Sequence, residues 1–293
     1  MTPLYPTQNH PSCYHQQRIV YPVVSRRSGG VSIGVNLSPS KRCNFACVYC
    51  QVHPDRVRDA AALQKISPLI DMALLETELR RTIDVVRSGI LFQEERFAAT
   101  PPEKRVLRDF AFSGDGEPTL APQFAETAAL LARVREEEKL DSAKLVLITN
   151  ATTLQTPETV AGCDILAAHQ GEIWAKLDGG TDAAYRRMNR SAVPFETILA
   201  NLVFASRRWP VTIQTMFLAR DEKKPSEQEM DDYAAAVKKI ADGGGTIRRV
   251  QLYTVARAPI ESNVTALPNE EMDRLAAFVR EKTGLTTDVF YSH

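Results

Sequence analysis

From residue 31 onward the chain alternates short β-rich runs with amphipathic helical stretches, and this alternation limits its fold more than any other feature. The runs are residues 31–37, 106–112, 144–149, 173–177, 211–217, 249–255 and 287–290, rich in Val, Ile, Phe and Thr and bounded by turn residues. Between them apolar residues recur at helical steps, as in Met72, Leu75, Leu79, Ile83 and Val86, and again in Phe124, Leu131 and Val134. Further helices are predicted around residues 156–168, 182–188, 194–207, 227–241 and 269–283. Ser226 and Pro268 read as start signals, Gly243 and Gly284 as stops. A repeated βα unit makes parallel strands joined by right-handed crossovers, either an open doubly wound sheet or a full or partial barrel. Periodicity alone does not choose between them.

With 293 residues the chain is long enough for one large α/β domain or two smaller ones. Its 36 basic and 36 acidic residues cancel, so no global field recruits nucleic acid or an anionic membrane. The N-terminal stretch is polar and proline-bearing without an apolar h-region, and no run approaches ~18 apolar residues, which predicts a cytoplasmic protein. The first thirty residues look irregular and end in Gly29-Gly30. They are expected to form an N-terminal extension, 1–30, packed as a belt or lid on a body formed by 31–293, with Ser25, Arg26 and Arg27 near its pocket.

Five cysteines are present: Cys13, Cys43, Cys47, Cys50 and Cys163. An odd number with three crowded together suits metal ligation in a reducing compartment better than a disulfide framework. The crowded set, Cys43-x3-Cys47-x2-Cys50, directly follows the first predicted strand, where a βα loop opens on the face that carries active sites in such folds. Three thiolates so close repel one another unless a soft cation neutralises them. One alternative is a structural zinc completed by His53, although such sites usually draw two ligand pairs from separate elements. A four-cysteine electron-transfer cluster is a second, but Cys13 and Cys163 lie far off and unpaired in spacing. A [4Fe–4S] cluster with three protein ligands is the third, and its open iron implies catalysis.

This spacing, with Tyr49 just before the last cysteine, resembles the radical S-adenosylmethionine superfamily. The resemblance implies a partial (β/α)6 TIM-like barrel of parallel strands. It implies a [4Fe–4S] cluster on Cys43, Cys47 and Cys50 whose open iron chelates S-adenosylmethionine. Reductive cleavage then yields a 5′-deoxyadenosyl radical that abstracts hydrogen from substrate. An external one-electron reductant such as flavodoxin or ferredoxin would supply the electron. Tyr49 by resemblance lies against the adenine; packing within its own loop is the plain alternative. "AFSGDGEPTL" follows the second predicted strand with two glycines and a carboxylate. Gly114, Gly116 and Glu117 match the family's Gly-Gly-Glu type motif, which holds the amino group of the methionine moiety, with Asp115 replacing its first glycine. Thr149 and Asn150 end the third run in a pattern also common in the family.

At the fourth run Lys176 and Asp178 are polar residues in an otherwise buried strand, positioned for the ribose or the methionine carboxylate. Lys176 pointing inward needs an anionic partner, and snorkelling outward is the alternative. Gln214 in the fifth run, and Gln251, Tyr253 and Arg257 in the sixth, suit a filled pocket or a pleat-alternating surface. Arg186, Arg187 and Arg190 read as an anion cluster or, more ordinarily, a solvated helix face. His10, His15, His169 and His293 show no ligand spacing. The wider stretches "YPVVSRRSGGVSIGVNLSPSKRCNFACVYCQ", "SGDGEPTL" and "VQLYTVARAP" resemble a single-cluster bacterial group related to the wyosine-type synthetases. Zero net charge and the lack of a second cysteine set weigh against a tRNA substrate, leaving a small molecule as the expected partner.

Overall fold

The computed structural model describes residues 14–38, 41–52 and 69–292. The chain divides into two compact units. The first contains described residues up to 42, 69–148 and 157–172; the second contains 43–52, 149–156 and 173–292.

In the first unit β1 (Val20–Ser25) pairs antiparallel with β2 (Gly30–Val35), and β2 and β3 (Leu107–Phe112) run parallel, as do β3 and β4 (Lys144–Thr149). Every residue of β2 is buried, as in a parallel strand covered on both faces. β1 lies in the segment expected to be irregular. Pro22, which has no N–H for a ladder, hid it from a propensity reading and is tolerated because β1 is an edge strand. Helix α1 (Met72–Arg87) starts where Asp71 accepts from the N–H groups of Ala73 and Leu74, and it buries Leu75, Leu79, Ile83 and Val86. Helices α2 (Phe124–Glu137) and α3 (Pro157–Ala168) complete the unit, with Phe124, Ala128 and Leu131 buried on α2 and Cys163 and Leu166 on α3.

Glu78 on α1 ties the incoming chain to this unit. Its Oε1 accepts from the Arg18 N–H at 3.0 Å, and its Oε2 accepts from Ile19 and Val20 at 2.9 and 3.0 Å. Glu78 is 6 % exposed, and replacing it by Ala leaves the two buried donors of Ile19 and Val20 and the part-buried one of Arg18 without their acceptor. The Glu78→Ala variant is expected to lose about 3 kcal/mol of stability and Glu78→Gln less, read from urea unfolding midpoints. A loss of a few tenths for Glu78→Ala would show that water replaces the carboxylate freely.

In the second unit β5 (Glu172–Lys176), β6 (Val211–Met216), β8 (Ile247–Tyr253) and β10 (Thr287–Phe290) pair parallel in that order, while β7 (Leu218–Arg220) and β9 (Val264–Ala266) form a separate antiparallel pair. Its helices are α4 (Asp182–Asn189), α5 (Phe195–Arg208), α6 (Glu227–Asp242) and α7 (Asn269–Thr283). α6 begins with a capping box between Ser226 and Glu229, and α7 stops at Gly284 in the left-handed region, φ 70°. The predicted runs form strands, their ends shifted by two residues at most, and the predicted helices agree as closely.

Candidate functional site

The cysteine loop, 43–52, carries little regular structure of its own and is held by neighbours in the second unit. The N–H of Ala46 donates to the Asn189 carbonyl at 2.8 Å and that of Val48 to the Met188 carbonyl at 2.9 Å, so the end of α4 anchors both sides of Cys47. Beyond Cys50, Gln51 Nε2 donates to the Arg257 carbonyl while the Arg257 guanidinium donates back to Gln51 Oε1, and the Ile260 N–H reaches the Cys50 carbonyl. Cys50 N–H donates to the Cys47 carbonyl at 3.1 Å, closing a turn that brings these two cysteines to Cα positions within about 7 Å. Among the described residues none of these three thiols is in a disulfide, and each is half-buried.

Nitrogen donors point at two of the sulfurs. Asn189 Nδ2 lies 3.3 Å from Cys47 Sγ; the Phe45 N–H lies 3.4 Å and Asn150 Nδ2 3.9 Å from Cys43 Sγ. Asn150 also donates to Asn44 Oδ1 at 2.6 Å, and its own Oδ1 accepts from the Thr152 N–H and hydroxyl. Among the described residues no three His, Cys, Asp or Glu side chains gather as a metal-holding group. What fits a soft metal cluster is the donor set: three thiols on one short loop, with N–H groups directed at sulfur as thiolate ligands require. His53 and Cys13, which the zinc and four-cysteine alternatives need, lie outside the described residues, as do His10 and His293. Cys163 is fully buried in the first unit, where burial pushes its thiol above the usual range.

Lys176 points inward. Its Nζ donates to the Tyr49 hydroxyl at 2.9 Å and to the Tyr253 hydroxyl at 3.1 Å. The Tyr49 hydroxyl donates to Asp178 Oδ2, Asn189 Nδ2 donates to the same oxygen at 2.9 Å, and the Met216 N–H donates to Asp178 Oδ1 at 2.9 Å. Burial alone would lower the Lys176 pKa, but Tyr253, Asp178 and Cys47 outweigh it and hold the ammonium protonated. Burial, then the Asp178 charge, push Tyr49 well above the usual phenol range. Burial likewise raises Cys47, with Lys176 and the Asn189 hydrogen bond pulling the other way. Register sets Lys176, Gln214 and Gln251 in one row across β5, β6 and β8, where Gln214 Nε2 donates to Gln251 Oε1 at 2.7 Å. The Tyr49 ring packs with Val48, Leu218, Val255 and Val264.

In the first unit the Gly114–Glu117 loop folds against residues 36–42. Asn36 Nδ2 donates to Asp115 Oδ2 at 3.1 Å, and the Glu117 N–H donates to the Arg42 carbonyl at 3.0 Å. Gly114 has φ +138°, and a Cβ there would meet Asn36 Oδ1 at 2.6 Å. A Cβ on Gly116 would stand 2.0 Å from the Arg42 carbonyl oxygen and 2.6 Å from Ser38 Cβ. Glu117 is 2 % exposed, and its Oε1 accepts from the Thr119 N–H and hydroxyl, capping a short turn at Pro118–Leu120. Beside this loop Ser38 Oγ and Arg42 Nη1 are buried and meet no hydrogen-bond partner among the described residues.

Arg186 and Arg187 of α4, and Arg190 just past its end, are exposed, as the plain alternative described. Arg186 pairs with Asp182, Arg187 with Glu229 and Arg190 with Glu261. Asn189 is the residue that sequence reasoning missed. It sits between Arg187 and Arg190 in a polar helix end, and nothing local distinguishes it from a capping residue.

No family model matches the chain. A TYW1 structure with a lysine-pyruvate adduct bound is similar over 87% of this chain and 74% of that chain, at 15% identity and a TM-score of 0.54. A crystal structure of archaeal TYW1 is similar over 86% of this chain and 72% of that one, at 15% identity and a TM-score of 0.50. The likeness shows the fold: mixed α/β with a curled sheet of parallel strands, a partial TIM-like barrel, one of the forms open to the βα alternation and the one the family resemblance implied. A GTPase Obg from Brachyspira hyodysenteriae is 24% identical over 280 residues, 93% of this chain. The chain spans 35% of that relative's length. Among the described residues no helix is long and apolar enough to cross a membrane.

Proposed function

We propose that the protein is a radical S-adenosylmethionine enzyme. The observation that carries this reading is the Cys43-x3-Cys47-x2-Cys50 loop with asparagine amides directed at two of its sulfurs. Cys43, Cys47 and Cys50 hold a [4Fe–4S] cluster. When bound, that cluster supplies an electron to the sulfonium of S-adenosylmethionine, releasing methionine and a 5′-deoxyadenosyl radical that takes hydrogen from a substrate. The electron comes from an external one-electron reductant of the flavodoxin or ferredoxin kind. Gly114 to Glu117 keep the role of a backbone cradle for the methionine end, favoured by the space that only glycine leaves at position 116. Lys176, a half-buried cation hydrogen-bonded to the phenols of Tyr49 and Tyr253, is suited to an anionic group such as a carboxylate. Tyr49, Asn150, Asp178 and Gln214 orient these groups. The substrate is a small molecule.

A lysine adduct of the kind in the TYW1 structure requires a neutral amine. Lys176 is held protonated by its surroundings, which favours charge recognition over covalent attachment. A GTPase reading lacks support, because no Gly-x4-Gly-Lys-Ser/Thr phosphate loop occurs anywhere in the sequence.

Anaerobic reconstitution tests the proposal. The expected result is a brown protein with about four iron atoms per chain, bleached by dithionite, that forms 5′-deoxyadenosine from S-adenosylmethionine. One colourless zinc per chain would mean a zinc-stabilised binding protein. A reducible cluster that leaves S-adenosylmethionine intact would mean an electron carrier.

A further inference from the structure

We propose that Asn189 is a positioning residue for the metal centre: its side-chain N–H, aimed by Asp178, donates to the Cys47 sulfur and raises the reduction potential of the cluster bound there. This rests on the function proposed above.

Asn189 is the last residue of α4 and is 1 % exposed. Arg190 follows in the left-handed region, φ 48°, and the Ser191 hydroxyl donates to the Asn44 carbonyl at 2.9 Å. Together with the two backbone bonds from Ala46 and Val48, this fastens the helix end to the loop and leaves the Asn189 side chain little freedom. The orientation of an asparagine amide is normally a choice between two flips. Here chemistry makes the choice. Lys176 donates to the Tyr49 hydroxyl, so Tyr49 donates to Asp178 Oδ2, the oxygen that Asn189 also meets at 2.9 Å. An amide oxygen facing that carboxylate would set acceptor against acceptor. The NH2 group therefore faces Asp178, and its second proton is directed at Cys47 Sγ, 3.3 Å away.

A donor on a ligand sulfur stabilises negative charge there, and the reduced cluster carries one more electron than the oxidised one. The hydrogen bond thus favours reduction. Asn189 does this without touching the cofactor or the reacting atoms, and no motif in the sequence marks it.

The test compares wild type with Asn189→Leu, which removes the donor at similar volume and adds no charge, and with Asn189→Ser. Each is reconstituted anaerobically, its iron counted, and its midpoint potential measured by titration followed with electron paramagnetic resonance. At equal iron, both variants are expected to have a more negative potential than wild type, Leu the more so. Equal potentials at equal iron overturn the inference and leave the proposed function standing. A wild type that takes up no iron overturns both. Should neither variant hold iron, hyperfine spectroscopy of the reduced Asn150→Leu protein, which lacks the other asparagine amide directed at a cysteine sulfur and is labelled with nitrogen-15 in asparagine side chains, decides. A resolved asparagine nitrogen coupling supports the inference, and its absence overturns it.

Discussion

Replacing Cys47 by Ala is expected to abolish both iron uptake and the cleavage of S-adenosylmethionine. Cys47 is the middle thiol of the loop, shares a turn with Cys50, and is the one whose sulfur receives the Asn189 amide. Without it two thiols remain, too few to anchor a cubane with one open iron. The fold should survive, because the loop keeps its backbone bonds to Met188 and Asn189 and the substitution removes a single sulfur. Iron content, colour and chromatographic detection of 5′-deoxyadenosine read the outcome, and circular dichroism checks the fold. Retention of either colour or cleavage would contradict the ligand assignment.

The Gly116→Ala variant is expected to be the most damaging single methyl in the first unit. The new Cβ would lie 2.0 Å from the Arg42 carbonyl oxygen, and that oxygen cannot retreat without weakening its bond from the Glu117 N–H at 3.0 Å. Both walls of the clash belong to the same short loop pair, so relief requires backbone movement rather than a rotamer change. We expect a loss of about 3 kcal/mol, seen as a lowered thermal midpoint. Iron uptake should fall with it, because Arg42 directly precedes Cys43 in the chain. Gly89→Ala is the control: its Cβ meets nothing within 4 Å and pays only for φ +77°, about 1 kcal/mol. Similar losses for the two variants would show that the Gly116 contact yields without cost.

Most of the helices and parallel strands were legible because amphipathic spacing and β-branched runs are written into windows of five to fifteen residues. β1 was not, since Pro22 interrupts its propensity signal and its pairing with β2 is what makes it a strand. β7 and β9 are three residues each, too short for any periodicity, and exist as a pair. In the site, Lys176 and Asp178 were visible as charges inside a buried run. Their division of labour was not visible: Lys176 donates to two phenols, while Asp178 accepts hydrogen bonds from Tyr49, Asn189 and the Met216 backbone. Glu117 stood out in the sequence as a ligand group, and the structure also engages its carboxylate with Thr119.

By itself the sequence determined the βα alternation and the placing of three thiols on one loop after a strand. Both are local properties, set by side-chain periodicity and by spacing along a few bonds. Only the tertiary structure decided which groups face those thiols, because Asn189 and Cys47 stand 142 positions apart and meet through the docking of a helix end onto a loop. The direction of the amide was decided further off still, by a proton order running from Lys176 through Tyr49 to Asp178. Such an order depends on which donors and acceptors are buried together, and no stretch of chain carries that information alone.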